Sequence, residues 1–331
     1  MKSIYASLSL LPAALAITTA PSGCITVAKP GGQFATIQAA VDSLSTSSSA
    51  DQCIFIEPGT YQEQVKVSAR SAQLTIYGSS ADDSSYGSNT VTISSGLAQA
   101  DGLNNEQTAT LGIRASGFRL YNVDVENTYG EGSQAVALSS YADSGFYGSS
   151  FLGFQDTVLS NQGKQIYVNC KIEGATDFIF GQVAFSWFER VDIRVLARSV
   201  GYVTASGPTT AGASRYVFND CDIAAADGQS VTAGAYYLGR PWREFASVVF
   251  QSTSMSNVIN SAGWSVWNSG DPRTGSVLFG EFANTGAGAS GTRASFATKL
   301  SSAVAISDIL GSGYASAPYF DSNYYSGSSF S

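Results

Sequence analysis

The chain has 331 residues, 44% hydrophobic and only 13% charged, with a formal net charge of −8 and no histidine. The acidic balance argues against nucleic acid and anionic lipid as partners. The lack of histidine excludes a Ser-His-Asp triad, a Cys-His pair and every His-ligated metal site, so acid–base chemistry falls to carboxylates.

Residues 1–16 read as a signal peptide: Lys2, an apolar stretch over 4–17, and a small-x-small cleavage site at Ala14-Leu15-Ala16. Cleavage as late as Ala20 fits less well, because Pro21 would follow it. No other segment is long and apolar enough to span a membrane. A secreted, extracellular protein without a membrane partner is expected. No Asn-x-Ser/Thr acceptor occurs, so N-glycosylation is not expected.

A strand is expected at 24–27, broken by Gly31-Gly32. Phe34, Ile37, Val41 and Leu44 then recur at helical spacing, predicting a short amphipathic helix. A Ser-rich loop follows at 45–50, a buried strand at 54–56 and a turn at Glu57-Pro58-Gly59-Thr60. Further strands are expected at 64–67, 74–77, 90–93 and 106–113.

From residue 120 an irregular repeat appears: LYNVDV (120–125), FYGSSF (146–151), YVNCKI (167–172), FERVDI (188–193), FNDCDI (218–223), FQSTSM (250–255) and FGEFAN (279–284). The first position is Leu120, Phe146, Tyr167, Phe188, Phe218, Phe250 and Phe279. The last is apolar except at Asn284. A fixed apolar register with variable spacers is what a coiled stack of strands produces, each turn adding the same strands to the same sheets. A sandwich would instead show hairpin turns every ~8–12 residues. The expected fold is all-β, a right-handed parallel β-helix with the N-terminal helix capping its open edge. It forms one domain over 17–331, including a tail from about 301 whose packing stays open.

The repeat also bears on the cysteines. Cys170, Val191 and Cys221 share one window position, which sets Cys170 and Cys221 about 9.6 Å apart, beyond the roughly 7 Å limit for a disulfide. Two buried free thiols are expected. Cys24 and Cys53 lie in early strands that could be neighbours, and their bonding stays open.

The same register places two acids. Asp156 is five residues past Phe151, and Asp177 five past Ile172. They should occupy equivalent positions in adjacent coils, about 4.8 Å apart along the stack. Two carboxylates that close do not both ionise easily, so one should hold a proton near neutral pH. A nucleophile beside an acid suffices for acyl or glycosyl transfer. Solvated turn aspartates are the alternative. The apolar aromatics in Gly153-Phe154-Gln155 and Phe178-Ile179-Phe180-Gly181 weigh against it.

Five segments then resemble the pectin methylesterases, carbohydrate esterases that remove methanol from methylated galacturonan. They are Gly59-Thr60-Tyr61-Gln62-Glu63, Gln134-Ala135-Val136-Ala137-Leu138, Gly153-Phe154-Gln155-Asp156-Thr157, Asp177-Phe178-Ile179-Phe180-Gly181 and Leu238-Gly239-Arg240-Pro241-Trp242. They follow the family's order and span nearly the whole mature chain. The family fold is also a right-handed parallel β-helix.

The resemblance implies that Asp177 is the nucleophile and Asp156 the general acid and base. Gln134 and Gln155 would donate to the oxyanion, and Arg240 would orient Asp177 and keep it ionised. Trp242, Trp264 and Phe178 would contact the sugar; Trp267 is expected in the core. Tyr61 and Glu63 are expected to stabilise an early coil. No cofactor and no metal are implied, and methylated pectin (homogalacturonan) is the partner of an expected monomer. Two departures bear on the groove: Ser206-Gly207-Pro208 follows Thr204-Ala205 in place of a polar Gln-Gly-Arg run, and Ser133 stands where the family often has histidine.

Two other readings fit parts of this pattern. A galacturonan hydrolase of this fold usually inverts, which needs carboxylates ~6.5–9.5 Å apart rather than about 5 Å. A binding protein that has lost its chemistry would not need all five catalytic positions filled. Methylated pectin is nearly neutral and its product a polyanion, so the charge of −8 predicts an acidic working pH and a preference for highly methylated chains.

Overall fold

The computed structural model describes residues 16–326. The expected signal peptide lies almost wholly outside them. Every paired strand runs parallel to its neighbour, in sheets of eleven, eight and seven strands that each collect one strand per coil. This is the expected right-handed parallel β-helix, with a single apolar interior enclosed by the three sheets.

The repeat has a backbone cause. The third window position is the bend between the eleven- and eight-stranded sheets. Asn122, Gly148, Asn169, Arg190, Asp220, Ser252 and Ala283 all sit there with φ between 50° and 53°. Gly, Asn and Asp enter this left-handed region at least cost, and they fill four of the seven bends. The first position points inward and builds an aromatic ladder. Phe146 to Tyr167, Tyr167 to Phe188, Phe188 to Phe218 and Phe218 to Phe250 stack at 4.7, 4.5, 4.3 and 4.3 Å.

The last coil corrects the sequence reading. Phe250 pairs with Glu281, not Phe279. The seventh window is therefore 281–286, and Ala283 takes the bend, which explains why Asn284 broke the pattern. Glu281 occupies the ladder position in this coil and accepts both an Arg293 fork at 2.9 Å and the Trp264 indole N–H at 3.1 Å.

Two early readings also change. Residues 106–113 are not one strand: α2 (Asn105–Thr108) precedes a strand at Leu111–Ile113. A capping box starts this helix, with the Asn104 side chain accepting from Gln107 N–H at 3.0 Å and Gln107 accepting from Asn104 N–H at 2.9 Å. Gly59-Thr60 opens the strand Gly59–Gln62 rather than completing a turn.

The amphipathic helix is present as α1 (Ile37–Ser43), and it buries Ile37, Ala40 and Val41 over the first coils. Glu63 accepts from the Ile37 and Gln38 N–H groups, both at 2.9 Å. Tyr61, 1% exposed, donates to Glu57 O at 2.9 Å. Glu63 thus holds an early coil to its cap, and Tyr61 braces the segment leading into its own strand. Glu63→Ala should cost on the order of 1–3 kcal/mol, because it strips a charged acceptor from two helix N–H groups; chemical denaturation measures it.

Cys24 and Cys53 form a disulfide, since Ile25 and Ile54 pair in adjacent strands. Cys170 and Cys221 are free and buried, as expected. The tail packs on the outside of the eleven-stranded sheet. Ile309, Leu310, Tyr319, Phe320 and Tyr324 cover Tyr121, Tyr147 and Trp187. The Tyr147 hydroxyl donates to Tyr319 O at 2.7 Å and accepts from Asp321 N–H at 2.8 Å. Arg119 donates to Pro318 O and Phe320 O at 2.6 and 2.8 Å.

Candidate active site

The seven-stranded sheet carries the candidate site on its outer face. Its inward row, Leu138, Val158 and Ile179, belongs to the interior. The next row, Leu159, Phe180 and Ala205, forms a separate outer apolar patch with Tyr141 and Trp242 at its margin. The acids stand at the edge of this patch. Gln155 pairs with Thr176 in the next coil, so Asp156 and Asp177 face one another one step apart, as the repeat implied. Both are 7% exposed and both adopt positive φ, 64° and 51°. Such backbones cost on the order of 1–3 kcal/mol each and persist only where their surroundings impose them. At Asp177 the pairing with Gly201–Ser206 is irregular between Thr176 and Ile179. This irregularity turns Asp177 outward.

Arg240 comes from the strand Tyr236–Pro241, two steps beyond Asp177 and about 9.6 Å along the stack. Its Nε and Nη2 donate to Asp177 Oδ1 and Oδ2 at 2.8 and 2.6 Å. The guanidinium lies between two rings, 4.1 Å from the centre of Tyr202 and 4.4 Å from that of Trp267. The fork and the two rings leave it little freedom.

Burial pushes Asp156 well above the usual carboxylate range, and the neighbouring Asp177 charge adds to the push. Burial raises Asp177 too, but the Arg240 fork pulls it back. Burial also opposes the Arg240 charge, and the same fork outweighs it. Asp156 is thus the more strongly raised of the two, an order that would divide their roles with the proton on Asp156. The stability linked to Asp156 is fully present below the ordinary carboxylate pKa of about 3.9. It is lost as pH rises through the raised value. Asp156→Asn should accordingly raise Tm by about 2 °C or more at pH 7 and leave it nearly unchanged at pH 3.5. Equal gains at both pH values, by calorimetry, would refute this division.

Gln134 precedes the strand Leu138–Ser140 one coil before Gln155, and Ala135 N–H donates to Gln155 O at 3.1 Å. Both glutamines are half-buried. Among the described residues, neither side-chain amide has a protein partner. Gln155 adjoins Asp156 in the chain and Gln134 lies one coil before, so two unpaired amides belong to the coils next to the acids. Trp242 is half-buried, edge-on to Phe180 at 6.1 Å.

Two expected sugar contacts are corrected. Trp264 is 1% exposed and stacks on Phe279 at 4.3 Å. It fills the interior where the ladder lacks an aromatic beside Phe250, so no face is left for a sugar. Phe178 is wholly buried in the main interior, because the irregularity that turns Asp177 out leaves Phe178 facing in. Phe180 is the outward aromatic. Trp267, expected in the core, lies over Arg240 instead.

Sequence reasoning also missed Tyr202, Asn105 and Arg198. Asn105 Nδ2 donates to Asp156 Oδ2 at 3.3 Å. Arg198 pairs with Glu131 at 2.9 Å and adds positive potential at Asp177. The Asn-x-x-Gln signature at 104–107 was a legible helix start; nothing local marked Tyr202 or Arg198.

Architecture and acid pair together make this a histidine-free parallel β-helix with two carboxylates one coil apart on its outer face, one of them gripped by arginine. More narrowly, the pectinesterase family profile matches residues 24–306, and the chain belongs to that family. It is 50% identical over 332 aligned positions to a pectinesterase of Aspergillus aculeatus, covering 98% of this chain and 100% of the relative. The crystal structure of the Aspergillus niger pectin methylesterase in deglycosylated form is similar with a TM-score of 0.87 at 40% identity, covering 94% of this chain and 100% of that one. The pectin methylesterase from carrot is similar with a TM-score of 0.81 at 28% identity, covering 92% and 98%.

Proposed function

We propose that the chain hydrolyses the methyl esters of galacturonan through an acyl-enzyme on Asp177. The observation that carries this reading is the asymmetry of the acid pair: Arg240 forks onto Asp177 at 2.8 and 2.6 Å, while Asp156, one coil away, is pushed up by burial without such a fork, which supports reading Asp177 as ionised and Asp156 as protonated. An Asp177 oxygen attacks the ester carbonyl. Gln134 and Gln155 stabilise the oxyanion with their free amides. As the carbonyl–methoxy bond breaks, Asp156 gives its proton to the departing oxygen and methanol leaves. The product is a mixed anhydride between Asp177 and the galacturonate. Water attacks it, Asp156 takes the water's proton, and Asp177 is released. No metal or redox partner enters this balance.

Trp242 and the outer patch around Phe180 would supply the apolar platform for the sugar ring. The Cys24–Cys53 disulfide suits an oxidising compartment and supports secretion. Among the described residues, no helix is long and apolar enough to cross a membrane.

The experiment is methanol release from pectins of high and low methylation across pH 4–8, with and without chelator, while following polymer length. Methanol without shortening is expected, unaffected by chelator and faster on the highly methylated chain. Shortening without methanol would favour a galacturonan hydrolase and end the proposal.

A further inference from the structure

α2 and the 3-10 turn before it form a wall beside Asp156 that the reaction outlined above does not use. Three contacts run through it in series. Gln99 N–H donates to Gln134 O at 2.9 Å. Gln99 Nε2 donates to Asn105 Oδ1 at 2.5 Å. Asn105 Nδ2 then donates to Asp156 Oδ2 at 3.3 Å. The order matters: with its oxygen taken by Gln99, the Asn105 amide can present only N–H to Asp156.

We infer that Asn105, itself held by Gln99, positions the Asp156 carboxyl by occupying Oδ2, so that the transferred proton resides on Oδ1. This rests on the reading of Asp156 as the general acid. An amide donor on one oxygen fixes the plane of the carboxyl and leaves the other oxygen to face the leaving group. It also favours the ionised form, opposing burial and the Asp177 charge. The pair Gln99–Asn105 therefore lowers the pH at which the acid loses its proton.

The charged groups around Asp156 are few. Asp177 opposes its ionisation, and Arg240 favours it. On the Asn105 wall, Glu106 is forked by Arg114 at 2.7 Å, and Asp101 accepts from Ala98 N–H at 2.9 Å. Asn105 is thus the neutral group of this wall that bonds to Asp156. Its removal should not unfold α2, because the capping box uses Asn104 and Gln107.

The test is the pH dependence of kcat/KM for methanol release by the full chain, in wild type, Asn105→Ala and Gln99→Glu. The rate constant through the first methanol release requires protonated Asp156. Losing the donor should move the alkaline limb up by about one pH unit, with the plateau falling about tenfold as the carboxyl loses its fixed orientation. Gln99→Glu should act in the same direction. A carboxylate at 99 accepts from the Asn105 amide, which then offers its oxygen to Asp156. Thermal unfolding of both variants at about pH 3.5, below the ordinary carboxylate pKa, should match the wild type. Alkaline limbs that superimpose on the wild type, whatever the plateau, would overturn the inference and leave Asn105 a structural residue. Full activity in Asp156→Asn would overturn the reading of Asp156 itself, a distinct outcome.

Discussion

Replacing Asp177 by asparagine is expected to lower kcat for methanol release by on the order of 10⁴-fold or more, the scale seen when a covalent nucleophile is removed. The side chain keeps its size and an oxygen for Arg240, so the coil around it should survive. What disappears is the oxygen that forms the anhydride. The substitution has a second effect with a separate readout. Burial raises Asp156 and the Asp177 charge adds to it, so with that charge gone Asp156 should titrate closer to the ordinary range. Carbon NMR of the aspartate carboxyls should therefore show the Asp156 titration moving down in the variant. Unchanged circular dichroism with methanol release within tenfold of wild type would remove the nucleophile from Asp177.

The part of this site legible in the sequence was its longitudinal order. One residue per coil at a fixed phase gave the facing of Asp156 and Asp177, because parallel pairing converts sequence phase into neighbourhood. The same phase separated Cys170 from Cys221. It failed at the last coil because an aromatic at 279 imitated the ladder while the ladder position had passed to Glu281. The bend was the better marker, but Ala283 at φ 52° carries no local signal. Side-chain direction was the other failure. Strict alternation would put Asp177 and Ile179 on one face and Phe178 on the other. The irregularity between Thr176 and Ile179 instead sends Asp177 out alone, and Phe178 becomes interior. The exchange between Trp264 and Trp267 has the same origin, since two tryptophans three residues apart cannot be assigned to a face without knowing which one the interior lacks. Tyr202 and Asn105 reach the site from segments outside the five motifs; the helix start at Asn104 was legible, but that Asn105 bonds to Asp156, and that Tyr202 lies over Arg240, follows only from tertiary packing.

Substituting Arg240 tests how the nucleophile is kept ready. Asp177 is buried enough that its ionisation is opposed, and the fork of Arg240 is what opposes that trend. Arg240→Met removes both the charge and the two donors. Asp177 should then protonate at higher pH, so the acid limb of kcat/KM should move upward. Its plateau should fall by about 10²–10³, as when a preorganised charge-stabilising donor is lost. Arg240→Lys separates the two contributions. It restores a charge but not the planar fork on both Asp177 oxygens, nor the flat face held between Tyr202 and Trp267. The acid limb should return most of the way towards wild type, while the plateau stays depressed by roughly 10–100-fold because Asp177 is no longer aimed. Charge and aim are thus distinguishable by pH profile alone. If the lysine variant recovers the plateau fully, orientation by the fork contributes nothing and Arg240 acts only as a point charge. If the methionine variant keeps the wild-type acid limb, Arg240 does not govern Asp177 ionisation, and the proposed division of the acid pair fails with it.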